Sequence, residues 1–147
     1  MACLLLPPFP LPQGLSFFLP NMTWLGPAGQ YHALLSSTWA AGALAVTGSG
    51  GNGISVSAQK DVSGARVVVR LTNKNTAPAN VNVAIQGFTS QTNVKVTSLT
   101  GTSTTQTNTP ANPLAIAPVV SYITLPSGGG SVAVPALTVM ALELTAA

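Results

Sequence analysis

The stretch ARVVVRLTN, residues 65–73, decides the fold class of this chain. In an extended strand, successive side chains point to opposite faces, so residues two apart share a face. One face of this stretch carries Val67, Val69 and Leu71. The other face carries Arg66, Val68, Arg70 and Thr72. This alternation predicts a β-strand whose first face lies on a hydrophobic core.

Segments with the same alternation continue along the chain on both sides of this strand. In VNVAIQGF, we expect Val81, Val83 and Ile85 to point inward and Asn82 and Gln86 to point outward. Turn residues separate the segments at intervals of about 8–12 residues, which is typical of antiparallel sandwiches and barrels. The predicted strands are 44–47, 54–59, 65–73, 81–87, 94–99, 121–125, 131–134 and 137–144. The pattern therefore predicts an all-β fold with an antiparallel arrangement.

A helix is predicted ahead of the first strand, over residues 27–43. Pro27 suits a first helical turn, and Gly42 suits a helix exit. An apolar stripe at helical spacing comprises Leu34, Leu35, Thr38 and Trp39. We therefore expect Trp39 to pack in a core rather than to face solvent.

The first 26 residues are expected to form an irregular, Pro-rich lead segment. Five prolines lie within the first twenty residues, and this density would repeatedly break a membrane-spanning helix. Neither the basic region nor the cleavage site of a secretory signal is evident, which disfavours a signal peptide. Whether residues 1–20 have a targeting role stays open. The chain is thus divided into a lead segment 1–26, a helix 27–43 and a β-sandwich domain 44–147.

Charged side chains are scarce in the 147 residues: five are Lys or Arg and two are Asp or Glu. The cations are spread over the middle of the chain, which argues against nucleic acid as a partner. Asp61 and Glu143 are the two carboxylates, His32 is the one histidine and Cys3 the one cysteine. This set is too small to favour a zinc site, and no G-x-S-x-G motif presents a nucleophilic serine. We expect no metal and no cofactor.

Four segments together resemble one family of enzymes. They are FFLPNMTWLGPAGQYHALLSSTW (17–39), VSAQKDVSGARVVVRLTN (56–73), LTGTSTTQTNTPANPLAIAPV (99–119) and VAVPALTVMALEL (132–144). In order and spacing they are similar to the carboxy-terminal region of α-L-arabinofuranosidases of glycoside hydrolase family 51, where the first segment looks like the last barrel helix. The resemblance implies a jelly-roll β-sandwich beside a catalytic (β/α)8 barrel that this chain lacks. It also implies a parent reaction, the release of terminal α-L-arabinofuranosyl residues.

The resemblance transfers no catalytic residue, because the family's two catalytic glutamates lie on barrel strands. Retaining glycosidases need two carboxylates about 5–5.5 Å apart. We expect Asp61 to bond its own turn and Glu143 to occupy an outward strand position, so they are not expected to form such a pair. Whether the chain is an enzyme by itself stays uncertain on these grounds, and inactivity is the expectation. The alternative function is an independent carbohydrate-binding β-sandwich module.

Three further features are candidates for function. Trp24, in a Gly/Pro loop, is the candidate sugar platform, with arabinose-containing polysaccharide as the partner. Asn21 begins an Asn-Met-Thr sequon for N-glycosylation, which favours a secretory or extracellular route. In a longer enzyme of this family the helix would pack its apolar stripe against the barrel. Without the barrel, Leu34, Leu35 and Trp39 of that stripe would leave an exposed apolar patch, as in a fragment of a longer protein.

Overall fold

The fold is a β-sandwich with an additional layer on its outer side. One helix and a two-stranded hairpin form this layer, which we call the helical layer. The computed structural model describes residues 16–147 except 20, 49, 50 and 52. Before the sandwich lie strands β1 (Ser16–Leu19) and β2 (Met22–Leu25) and helix α1 (Pro27–Ser37). The sandwich strands are β3 (Gly42–Leu44), β4 (Ile54–Lys60), β5 (Arg66–Asn73), β6 (Ala79–Ala84), β7 (Asn93–Thr100), β8 (Val119–Thr124), β9 (Gly129–Val134) and β10 (Thr138–Thr145). These eight strands confirm the predicted all-β class.

Six strands form one sheet in the order β3-β4-β5-β10-β7-β8, and β6 pairs with β9 in a second, two-stranded sheet. All of these pairs are antiparallel. The last strand, β10, therefore lies in the middle of the large sheet. Gly129 at the start of β9 has a φ of 130°, and a side chain there would collide with the Val83 carbonyl, so only glycine fits.

The main core lies between the two sheets. Val67, Val69 and Leu71 of β5 face it, as the alternation predicts, and Val81, Val83 and Ile85 pack against it from the other side. Asn82 and Gln86 are exposed, also as predicted. The other buried members of this core are Val94, Val96, Leu125, Val132, Val134, Met140, Leu142 and Leu144. Period-two patterning thus identifies both walls of the core.

A second, smaller core lies between the large sheet and α1. Its buried members are Leu34, Ala40, Val68, Leu99, Ile116 and Ala141. Because Leu34 is fully buried there, the expected exposed patch of Leu34, Leu35 and Trp39 is wrong for Leu34. Leu35 is half-buried, and Trp39 alone is largely exposed.

The helix begins at Pro27, as predicted, but it ends at Ser37 instead of residue 43. The Thr38 backbone N–H and hydroxyl both donate to the Leu34 carbonyl, at 3.1 and 2.9 Å. These two hydrogen bonds cap the helix, and the chain then runs into β3 at Gly42. Trp39 consequently lies beyond the helix and off its apolar stripe.

The segment expected to be irregular contains a two-stranded hairpin. Strands β1 and β2 pair so that Phe17 lies opposite Trp24 and Leu19 opposite Met22. Asn21 is exposed in the turn between them. The remaining expectations for residues 1–15, a targeting role included, and Cys3 itself lie outside the described residues.

Candidate functional site

Asp61 is committed to its own hairpin turn. The Ser63 hydroxyl donates to Asp61 Oδ2 at 2.9 Å, and the Arg66 backbone N–H donates to Oδ1 at 3.2 Å. These bonds, the Ser63 hydroxyl first among them, hold the pKa of the Asp61 carboxyl below its usual range. A carboxyl with a lowered pKa stays ionised, so it suits turn formation rather than general acid catalysis.

Glu143 forms ion pairs with two cations from neighbouring strands. Arg66 Nη1 lies 2.7 Å from Glu143 Oε2, and Lys95 Nζ lies 3.0 Å from Oε1. The Lys95 contact is an ion pair rather than a well-directed hydrogen bond, because Oε1 has no hydrogen-bond partner among the described residues. The Glu143 side chain faces away from the main core, as predicted, but it is only 10% exposed.

These contacts bear on the carboxylate pair that glycoside hydrolysis requires. The described hydrogen bonds and ion pairs of Asp61 and Glu143 go to other residues, Ser63, Arg66 and Lys95, and not to each other.

Among the described residues, no group of three or more His, Cys, Asp or Glu side chains is placed to hold a metal ion. His32 is exposed beside Tyr31, with ring centroids 6.2 Å apart.

Arg70, on the same face of β5 as Arg66, is buried. Its guanidinium donates to Gln59 Oε1 at 2.5 Å and to the Thr38 carbonyl at 2.7 Å, and the residue is 8% exposed. Burial lowers the pKa of the Arg70 guanidinium. Its role is to fasten the exit of α1 to the sheet.

The two tryptophans differ in exposure. Trp24, the candidate sugar platform, is half-buried, and its indole N–H donates to the Asn108 carbonyl at 3.3 Å. Trp39, expected in the core, is 62% exposed. The third prominent aromatic is Tyr122 on edge strand β8, which is 63% exposed and was not singled out from the sequence.

Asn108 organises the long loop between β7 and β8. Its side-chain amide donates to the carbonyls of Leu25 and Ile116 at 2.8 Å each, and its Oδ1 accepts from the Ile116 N–H at 2.7 Å. These bonds close the loop on itself and fasten it to the end of β2. A cleft of about 440 Å³ beside this loop is lined by Thr, Ser, Gly, Pro, Ala and Leu and by no ionisable side chain, so it offers no acid or base.

The sequence of residues 11–138 matches the family described as the alpha-L-arabinofuranosidase C-terminal domain. The chain belongs to this family. The fold of this arabinofuranosidase C-terminal domain is shared by several solved enzymes. An arabinose-bound family 51 α-L-arabinofuranosidase superposes with a TM-score of 0.82 at 18% identity, over 92% of this chain and 22% of that chain.

Two further solved enzymes share the fold. The α-L-arabinofuranosidase of Thermotoga maritima, in complex with arabinose, gives a TM-score of 0.80 at 13% identity, covering 90% of this chain and 31% of that one. The family 51 arabinofuranosidase of Xanthomonas axonopodis pv. citri gives 0.71 at 23% identity, covering 89% and 28%. This domain therefore spans less than a third of the length of these enzymes. No curated protein matches the chain.

Several polar side chains of this arabinofuranosidase C-terminal domain hold its segments together. Asp61 shapes a turn, Arg70 fastens the helix and Asn108 fixes the long loop. Among the described residues, the one helix, α1 with its eleven residues, is not long and apolar enough to cross a bilayer.

Proposed function

We propose that this domain braces the catalytic (β/α)8 barrel of an α-L-arabinofuranosidase-like glycoside hydrolase and contributes no catalytic residue. The parent reaction is the hydrolysis of terminal, non-reducing α-L-arabinofuranosyl residues in arabinose-containing polysaccharides. Membership of the C-terminal domain family supports this role, as does the coverage of less than a third of the enzymes that share the fold. The division into a lead segment 1–26, a segment 27–43 whose helix is Pro27–Ser37, and a sandwich domain 44–147 belongs to the same proposal.

The observation that carries the proposal is the exposure of large apolar side chains on the hairpin and α1, within the part of the chain that the structure describes. Helix α1 buries Leu34 against the sheet, so its inner face already has a partner. The hairpin leaves Leu19, Met22 and Leu25 exposed at 46%, 39% and 37%, and Tyr31 of α1 is 36% exposed. Exposed large apolar side chains on neighbouring elements favour contact with another protein surface. The resemblance of α1 to the last barrel helix makes the barrel the proposed contact.

The proposal predicts that this domain can replace the C-terminal domain of a related enzyme. We suggest replacing the C-terminal region of the Xanthomonas axonopodis enzyme by this chain from Ser16 onward, so that the hairpin, α1 and the sandwich all come from this chain. The expected result is a soluble chimera that hydrolyses 4-nitrophenyl α-L-arabinofuranoside within about tenfold of the parent kcat/KM, whereas the barrel alone loses activity or soluble yield. A tenfold change is about 1.4 kcal/mol of transition-state stabilisation.

The matched control for this chimera is Val68→Asp, which places a charge in the fully buried second core. It should reduce the soluble yield to that of the barrel alone. A Val68→Asp chimera as active as the unsubstituted one, or an unsubstituted chimera no better than the barrel alone, contradicts the bracing role.

The second candidate function is an independent carbohydrate-binding module. The exposed aromatic residues Trp39 and Tyr122 favour it. Trp24 is less accessible than these two, and its indole N–H is bound to the long loop. A sugar platform at Trp24 and glycosylation at Asn21, which is exposed in the hairpin turn, both stay predictions.

A further inference from the structure

A row of charged and aromatic side chains crosses the helix-side face of the large sheet. In the strand register, Glu143 of β10 lies opposite Lys95 of β7, which lies opposite Tyr122 of β8. Adjacent strands are about 4.8 Å apart, so the row extends about 10 Å from β10 to the sheet edge. The exposure of these side chains rises outward, from 10% for Glu143 to 43% for Lys95 and 63% for Tyr122.

The inner end of the row is closed by Arg66 and Trp39. The Arg66 guanidinium donates through Nη1 to Glu143 and through Nη2, at 2.5 Å, to the Trp39 backbone carbonyl. This second bond fixes residue 39 beside the row, and its side chain is 62% exposed. We call this surface the aromatic–ionic shelf; its members are Trp39, Arg66, Glu143, Lys95 and Tyr122.

We propose that the aromatic–ionic shelf binds a neutral oligosaccharide. The electron-rich faces of aromatic rings attract the C–H groups of sugar rings, and the shelf holds an exposed aromatic residue at each end. Between them, Arg66 has five N–H donors and Lys95 has three. The described contacts use two of these donors on Arg66 and one on Lys95, which leaves the others for sugar hydroxyls.

The charges of the shelf favour a neutral ligand over a charged one. Glu143 is already paired with both cations, so the cluster carries a net charge of only +1. An anionic ligand would have to compete with Glu143 for Arg66 and Lys95. A sugar hydroxyl replaces a water molecule as a hydrogen-bond partner without breaking either ion pair.

The same charges favour a sugar over a protein surface. Three charged side chains occupy the middle of the shelf, whereas the buried centres of protein interfaces are depleted of charge. A protein docking there would have to remove water from the ion pairs, with a penalty that can exceed their attraction. A short oligosaccharide leaves Lys95 partly hydrated. The helical layer, rather than the shelf, carries the exposed apolar side chains assigned to the barrel.

The experiment is affinity electrophoresis of the full 147-residue chain in native gels containing arabinan, arabinoxylan or a mixed-linkage glucan. The expected result is retarded migration with arabinan or arabinoxylan, with affinity weakened at least tenfold by Tyr122→Ala or Trp39→Ala. The matched control is Val119→Ala, since Val119 is 61% exposed on the same strand and points to the opposite face. Circular dichroism of each variant confirms that it is folded.

These outcomes test the shelf separately from the proposed function. Only the choice of arabinose polymers as ligands rests on the proposed function. Retardation that Tyr122→Ala removes and Val119→Ala preserves supports the shelf. If it occurs only with the glucan, it supports the shelf and contradicts arabinose as the ligand, while the chimera still tests the bracing role. Retardation in none of the gels overturns the shelf. Retardation lost in Trp24→Ala but kept in Tyr122→Ala overturns it in favour of the Trp24 platform. Self-association that Tyr122→Ala abolishes, seen by sedimentation without any sugar binding, overturns it in favour of a second copy of the chain.

Discussion

Leu142→Ala is expected to lower the free energy of unfolding by about 2–5 kcal/mol, the range for large-to-small changes in well-packed cores. Leu142 lies on β10, the central strand of the large sheet, opposite Val69 on one side and Val96 on the other. It is fully buried in the main core. The truncation leaves a cavity that flanking strands, themselves paired on both sides, cannot collapse to fill.

The measurement is equilibrium unfolding in urea followed by circular dichroism. Val119→Ala is the control, because an exposed side chain on an edge strand should change stability by less than about 0.5 kcal/mol. If both substitutions shift the unfolding midpoint equally, Leu142 is not in the core that the register describes.

Asn73→Ala is expected to be comparably destabilising, by about 2–4 kcal/mol, for a different reason. The two N–H groups of the Asn73 side-chain amide are shared among the carbonyls of Ala77, Val134 and Pro135, which lie 2.9, 3.2 and 3.0 Å from Nδ2. Its Oδ1 accepts the Asn75 N–H at 3.0 Å, and the residue is 1% exposed. Removing the amide leaves several backbone groups without their partner, each with a penalty of about 1–3 kcal/mol that water entry reduces.

This network joins the end of β5 in one sheet to the end of β9 in the other. Loss of Asn73 should therefore loosen the sandwich locally and raise hydrogen exchange at residues 75–79 and 134–137. Asn82→Ala is the matched control, since Asn82 is exposed on β6 and should leave stability within about 0.5 kcal/mol. An Asn73→Ala variant as stable as Asn82→Ala contradicts the bridging role of this amide.

The sequence predicts the sandwich well because period-two alternation depends on local residue order alone. The strand at 65–73 and the inward residues Val81 and Val83 lie where the alternation places them. The end of the helix was missed because a side-chain cap, from Thr38 to the Leu34 carbonyl, competes with helix continuation. That error also produced the wrong expectation for Trp39, since a residue beyond the cap no longer follows helical spacing.

The aromatic–ionic shelf could not be predicted from local pattern. Arg66 and Glu143 are 77 residues apart along the chain, and their contact depends on the pairing of β5 with β10. The buried state of Arg70 was missed for a related reason. Alternation assigns it to the second face of β5, but only the position of α1 determines that this face is covered.

The proposed function requires that the two carboxylates of this chain serve structure and not hydrolysis. Asp61 is bonded within its turn, and Glu143 is bracketed by Arg66 and Lys95. The most direct test is to incubate the purified chain and its Glu143→Gln variant with 4-nitrophenyl α-L-arabinofuranoside. We predict no release of nitrophenol above the uncatalysed rate from either protein. Turnover by the unsubstituted chain that Glu143→Gln abolishes would contradict the claim.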